Sequence, residues 1–312
     1  MSLFTGQISN WNEWGDIFQS IPAFMPLVGH ILAKEKLPMS TMENLTPGTN
    51  AVFKVGEYVI KIFAPTESGM DQSLDLQTEL FATSRANRLG ISAPQLITHG
   101  VIDDKYRFAY MITEYIHGTE LVDAVKHMTD TEKTDIARRL RRMTDTMNTP
   151  CESFNGIDVI NDKGRYRRWD DRYSDSFKSE RLDYIKSHDF GEKVFVHGDL
   201  CLDNILLTPQ RELFIIDFAD AVLAPRIYEH ALMPFSFELD PALIRGYFAD
   251  YSAAGFIEMC FNGLLIHDFG GDIVMDFLKD AGSFEDLGDL RRGIRRKLEE
   301  ASLHFAPYLT KV

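Results

Sequence analysis

The chain's clearest chemistry lies between Val194 and Phe218, in VFVHGDLCLDNILLTPQRELFIIDF. A short apolar run feeds His197-Gly198-Asp199, Asn204 follows five residues after that aspartate, and an apolar hairpin ends in a second aspartate, Asp217. The Asp199 carboxylate could orient a hydroxyl and accept its proton. The Asn204 amide oxygen and the Asp217 carboxylate are hard donors of the kind magnesium prefers, and magnesium takes only one or two from protein when phosphates complete its shell. A general base with two such ligands meets the needs of phosphoryl transfer, which relies on positioning and charge neutralisation. Asp and Asn also serve ordinary turns, so any one position says little. Four polar positions at this spacing, bracketed by apolar runs, say more.

Those runs must position the polar residues. Val194–Val196, Ile205–Leu207 and Leu213–Ile216 read as short buried strands, the last two joined by a turn around Pro209. They are expected to hold Asp199, Asn204 and Asp217 at one end of a small sheet.

The pattern resembles the aminoglycoside phosphotransferase and choline kinase branch of the protein-kinase-like superfamily. Protein kinases carry His-Arg-Asp with the same Asp-to-Asn spacing, and Gly198 marks the small-molecule branch. The resemblance implies an α+β, two-lobed fold: a small antiparallel β-sheet N-lobe with a helix, and a larger, mainly helical C-lobe. By the same resemblance Asp199 is the catalytic residue, Asn204 and Asp217 are the metal ligands, and His197 is a structural hydrogen-bonder. The implied cofactors are ATP (or GTP) and Mg2+, with the nucleotide between the lobes. Asp268-Phe269-Gly270 spells the kinase magnesium triplet literally, but no strand precedes it, and Asp268 is expected at a helix end.

Further upstream, Thr46-Pro47-Gly48-Thr49-Asn50 is turn-rich, and Ala51–Val55 and Tyr58–Phe63 read as a hairpin through Gly56-Glu57. Kinase-like folds cover nucleotide phosphates with such a loop, so the resemblance puts Gly48, Thr49 and Asn50 at the nucleotide. Lys61 lies in an otherwise apolar strand. An edge-strand lysine can snorkel to water, whereas a buried one needs a partner. The resemblance makes Lys61 the phosphate-gripping lysine, with Val59 on the same face against the adenine; Lys54, in the preceding strand, is the rival. Leu74–Leu89 reads as the next helix, with Leu76, Leu80, Ala86 and Leu89 toward the core and Gly90 ending it. Glu79, mid-helix, is expected to pair with Lys61. Phe108–Tyr115 reads as a strand leading to the hinge, where Glu114, Tyr115 and Ile116 would offer backbone groups to adenine.

The lobe boundary is expected at 116/117: an N-terminal nucleotide-binding lobe, 1–116, with a helical extension over 1–38, and a catalytic and substrate-binding lobe, 117–312. In the second lobe, helices are expected over Thr131–Met147, Trp169–Ile185, Glu258–Phe269 and Leu287–Leu303, with one more starting at Asp240-Pro241. Met147-Asn148 and Ala224-Pro225 depart from the family's usual Leu-His and Gly-Asp, while Glu229 falls where an acidic anchor is usual.

With 312 residues, 45% hydrophobic and 12% aromatic, the chain can bury a sizeable core. Its net charge of −14 repels nucleic acid. That acidity suits a cationic acceptor such as an aminoglycoside, and suits plain solubility equally well. Cys151, Cys201 and Cys260 are scattered, without CxxC, which argues against a disulfide framework or a zinc site and for a reducing cytoplasm. No signal peptide is apparent, and the apolar stretch Ile17–Leu32, broken by Pro22, Pro26 and His30, is too short to span a membrane. The oligomeric state is not legible.

The leading expectation is a nucleotide-dependent kinase acting on a hydroxyl of a small acceptor. A catalytically silent nucleotide-binding kinase fold is the alternative. A metallophosphatase fits less well, since His99 is its sole obvious upstream ligand. Asp203, Asp220, Glu238, Asp240, His267 and Asp268 are candidate acceptor contacts.

Overall fold

The computed structural model describes residues 2–161, 169, 172–279 and 284–302. The chain forms two compact units, one of residues 1–118 with 214–219, the other of 119–213 with 220–312. The expected division at 116/117 did not foresee the return of 214–219 to the first unit. Ile215 makes that return physical, its N–H donating to the Ser92 carbonyl at 2.9 Å.

The first unit opens with helices α1 (Trp11–Ile17) and α2 (Ile21–Lys34), which occupy the expected N-terminal helical stretch. Asn10 caps α1 by accepting from Glu13 N–H. Five antiparallel strands follow: β1 (Met42–Asn44), β2 (Ala51–Val55), β3 (Tyr58–Ile62), β4 (Leu96–Asp103) and β5 (Arg107–Glu114), in the order β1-β2-β3-β5-β4. The alternating burial of β2 places Ala51, Phe53 and Val55 inward. Phe4, Trp14, Phe24, Phe53 and Phe108 join one core cluster with Val28 and Ile31 of α2, so the N-terminal helices cover one face of the sheet. Among the described residues no single helix is long and apolar enough to cross a membrane; α1 and α2 together are, but they bend by 86° and bury Trp14, Phe24, Leu27 and Ile31 in this core.

Helix α3 (Ser73–Arg88) matches the expected span but not the expected face. It buries Thr78, Glu79, Ala82, Thr83 and Ala86, whereas Leu76, Leu80 and Leu89 are half-buried. The helix is turned so that a charged residue faces inward, which only a buried countercharge can support.

In the second unit, strand β6 (Thr119–Glu120) leads into α4 (Leu121–Ala124) and α5 (Asp130–Met147). Thr129 and Glu132 form a reciprocal capping box at the start of α5. Of the helix expected over Trp169–Ile185, residues 170 and 171 lie outside the described ones; α6 runs Asp175–Ser187, with Ser174 as its cap. Strands β7 (Lys193–Val196) and β8 (Ile205–Leu207) follow, then β9 (Leu213–Ile215), through which the chain passes to the first unit, and β10 (Val222–Pro225). The expectation of one small sheet is corrected here: β7 pairs with β10, and β8 pairs with β6. Val194, Val196, Val222 and Ala224 pack on Tyr228 and Ile266, giving β7 an apolar seat of its own.

The remaining helices are α7 (Arg226–His230), α8 (Met233–Ser236), α9 (Pro241–Tyr247), α10 (Ala253–Ile266), α11 (Gly270–Leu278) and α12 (Leu287–Ser302). Asp240 caps α9 by accepting from Ala242 and Leu243 N–H groups. Leu303, the expected end of the last helix, lies outside the described residues.

Candidate active site

In the first unit, Lys61 on β3 is 7% exposed. Its ammonium donates to Glu79 Oε2 at 2.8 Å and to Asp217 Oδ1 at 2.6 Å. Burial disfavours the charge, but the Asp217 and Glu79 carboxylates outweigh it and raise the pKa, so the lysine stays protonated. Glu79 is as deeply buried as its partner, while the Asp217 side chain is 46% exposed. Asp217 adopts left-handed backbone, φ +60°, a conformation aspartate tolerates better than most residues. Lys61 is therefore no snorkelling edge lysine: β3 lies inside the sheet between β2 and β5, and two acidic groups meet its head. Val59 is half-buried two residues away, and Lys54 pairs with exposed Glu43.

The loop before β2 has exposed residues at Gly48 and Thr49 and a buried one at Asn50. The Asn50 carboxamide faces inward, accepting from Ala64 N–H at 3.3 Å, so its side chain anchors the end of the loop. The backbone at the end of β5 carries hydrogen bonds of its own. Glu114 exchanges two bonds with Gln95, donating from its N–H at 3.0 Å and accepting at its carboxylate at 2.9 Å, and Tyr115 N–H donates to the Glu57 carbonyl at 2.9 Å. These amide protons extend the sheet's pairing past its last rung. Ile116 N–H makes no hydrogen bond among the described residues.

In the second unit, Asp199 is half-buried. Asn204 Nδ2 donates to the Asp199 carbonyl at 2.8 Å and to its Oδ2 at 3.2 Å. Both bonds use the amide nitrogen, which leaves Asn204 Oδ1 as the acceptor for another group. That oxygen in the second unit and the exposed Asp217 carboxylate in the first are each, by chemistry, the donor type magnesium takes.

His197 is fully buried and accepts from Asp199 N–H through Nδ1 at 3.3 Å. Its own N–H donates to Glu229 Oε2 at 2.5 Å. Gly198 between them has φ +86°, and a Cβ there would lie 2.1 Å from the Asp220 carbonyl oxygen. Only glycine allows this close crossing of backbones. Burial pushes the Glu229 carboxyl up to about 7, against the hydrogen bonds from His197, Asn148 and Gly198, and the Asp199 charge adds to the rise.

A model of the phosphotransferase enzyme family matches residues 48–261. The chain belongs to that family. Solved structures agree on the fold. Wild-type aminoglycoside 2'-phosphotransferase-IIIa in its GDP complex is 17% identical, with 90% of this chain and 99% of that one covered and a TM-score of 0.58. Choline kinase LicA from Streptococcus pneumoniae is 17% identical over 90% and 98%, with a TM-score of 0.56. A thermostable mutant of aminoglycoside phosphotransferase APH(4)-Ia, in ternary complex with ADP and hygromycin B, is 17% identical over 90% and 97%, at 0.52. Comparison with curated protein sequences gave no match. The fold is the α+β, protein-kinase-like one expected.

In this phosphotransferase, several supports were not legible in sequence. Asn148 is buried and donates to the Phe195 carbonyl at 3.1 Å, bracing β7. Ser236 Oγ accepts from Leu202 N–H at 2.7 Å, between Asp199 and Asn204 in the chain. Ser236 lies in no motif, and Asn148 drew notice only as a departure from one. Of the candidate acceptor contacts, Asp240 is engaged as a cap and with Lys133 at 2.5 Å, and His267 is buried against Tyr228 at 3.9 Å between ring centroids. Asp268 sits between α10 and α11, where a helix-end residue was expected. Asp203, Asp220 and Glu238 are exposed.

Proposed function

We propose that this phosphotransferase is a magnesium-dependent kinase that moves the γ-phosphoryl group of ATP or GTP to a hydroxyl of a small acceptor, with a cationic amino sugar the first candidate. The observation that carries the reading is the meeting of Lys61 with both Glu79 and Asp217, a pairing that serves phosphate handling in kinase-like folds. Lys61 would hold the α- and β-phosphates, kept charged and oriented by Glu79. The Gly48 and Thr49 backbone would cover the phosphates, Val59 would line the adenine, and Ile116 N–H would serve its edge.

Asp199 would orient the acceptor hydroxyl and take its proton. The hydroxyl oxygen bonds to the γ-phosphorus as the bond from that phosphorus to the β,γ-bridging oxygen breaks, and the nucleoside diphosphate leaves. Asn204 Oδ1 and Asp217 would hold magnesium, which when bound neutralises charge on the phosphate oxygens. The exposed carboxylates of Asp203 and Glu238 in the catalytic unit, and a net charge of −14, support a cationic acceptor. A reducing cytoplasm suits the three free cysteines.

The test is incubation with Mg-ATP and Mg-GTP against aminoglycosides, choline, amino alcohols and neutral sugars, with phosphorylated product read by mass spectrometry and Asp199→Asn as control. Product with the wild type, formed about 10²- to 10⁴-fold more slowly with the variant, is expected. Tight nucleotide binding without transfer to any acceptor would instead make this a silent kinase fold.

A further inference from the structure

The indole N–H of Trp14, on α1, does something a core residue need not do. It donates to the Thr49 carbonyl at 2.8 Å, while its ring is 1% exposed. The ring packs on Phe18 and Phe24, and Phe24 packs in turn on Phe53 of β2. The bond therefore ties an exposed loop to a rigid aromatic core. One residue later Asn50 accepts from Ala64 N–H, and that same N–H donates to Gln72 Oε1 at 2.7 Å. Gln72 is the residue immediately before α3, the helix that carries Glu79. Helix α1, the loop and the support of Lys61 thus form one connected frame.

Thr46, Pro47, Gly48 and Thr49 are all exposed, and a Cβ added at Gly48 would meet nothing within 4 Å. A loop of this kind, with one glycine, gains its course from its anchors. We propose that Trp14 is the positioning residue of this loop: by holding the Thr49 carbonyl from beneath, it turns the backbone of residues 46–49 toward the phosphates of a nucleoside triphosphate. The inference rests on the kinase reading above. It extends that reading to the N-terminal helix, which lies outside the residues the family model matches.

The test compares three variants with the wild type. Trp14→Phe removes the N–H and keeps an aromatic ring. Trp14→β-(3-benzothienyl)alanine keeps the ring shape and deletes the N–H alone, which answers the case where the phenylalanine variant folds poorly. Phe18→Leu disturbs the same core and spares the bond. Mg-ATP and Mg-GTP binding by calorimetry should weaken about two- to tenfold in both Trp14 variants, the loss a single hydrogen bond brings. Turnover at saturating nucleotide should stay within about twofold, because ground-state positioning enters KM. Amide exchange at 46–50 should quicken in both. Phe18→Leu should lower Tm with nucleotide affinity unchanged. Wild-type affinity in both Trp14 variants, or equal weakening by Phe18→Leu, overturns the inference alone. Absence of nucleotide binding by the wild type overturns the kinase reading and this inference with it.

Discussion

Lys61 and Asp217, 156 residues apart in the chain, are joined by a 2.6 Å hydrogen bond from Nζ to Oδ1. The contact forms because residues 214–219 leave the unit that precedes and follows them and pack with the N-terminal sheet. Lys61 thereby holds two carboxylates of unequal exposure, buried Glu79 and half-exposed Asp217.

That inequality predicts unequal costs. Lys61→Met strands the buried Glu79 charge and should cost about 3–5 kcal/mol of stability. Glu79→Gln leaves Lys61 with Asp217 and should cost less. The double variant Lys61→Met/Glu79→Leu should recover most of the stability but bind nucleotide about 10- to 100-fold more weakly than the wild type. Denaturant melts and calorimetry separate the two effects.

Asp199→Asn should lower kcat by about 10²- to 10⁴-fold with nucleotide Kd unchanged, the loss expected when a general base is removed. Asn204→Ala should raise the magnesium concentration needed for half-maximal rate, because its Oδ1 is the atom left for the ion. Initial rates across a magnesium titration distinguish the two.

Gly198→Ala places a Cβ against the Asp220 carbonyl in left-handed backbone and should destabilise the fold by about 2–5 kcal/mol. A melt within about 1 kcal/mol of the wild type would show that the crossing of 198 and 220 can relax.

Glu229 makes stability depend on pH in a direction opposite to an ordinary acidic pair. Burial raises its folded pKa to about 7 from 4.5, so the folded state holds the proton more tightly than the unfolded one. Its contribution is complete below pH 4.5 and is lost as pH rises through about 7. Wild-type Tm should therefore fall relative to Glu229→Gln across that window, and the gap should level off above it. A constant difference at all pH values would contradict the assignment.

Local chemistry in the sequence marked the motif residues, and the family resemblance those motifs carry implied the fold class. His197-Gly198-Asp199, Asn204 and Asp217 stand at fixed short spacings between apolar strands, and two β-rich runs joined by Gly56-Glu57 marked the hairpin around Lys61. Cap chemistry at Asp240-Pro241 marked α9. These signals are local because they arise from backbone conformation and side-chain alternation within a few residues.

Tertiary structure decided the rest. It chose which face of α3 turns inward, since a Glu79 facing the core is paid for only by a lysine from another strand. It separated β7 from β8, spent the Glu114 and Tyr115 amides on the sheet, turned Asn50 inward and brought Trp14 beneath Thr49. Each depends on a hydrogen-bond partner remote in sequence. A residue's type states what it can donate or accept, and only the folded chain settles to whom.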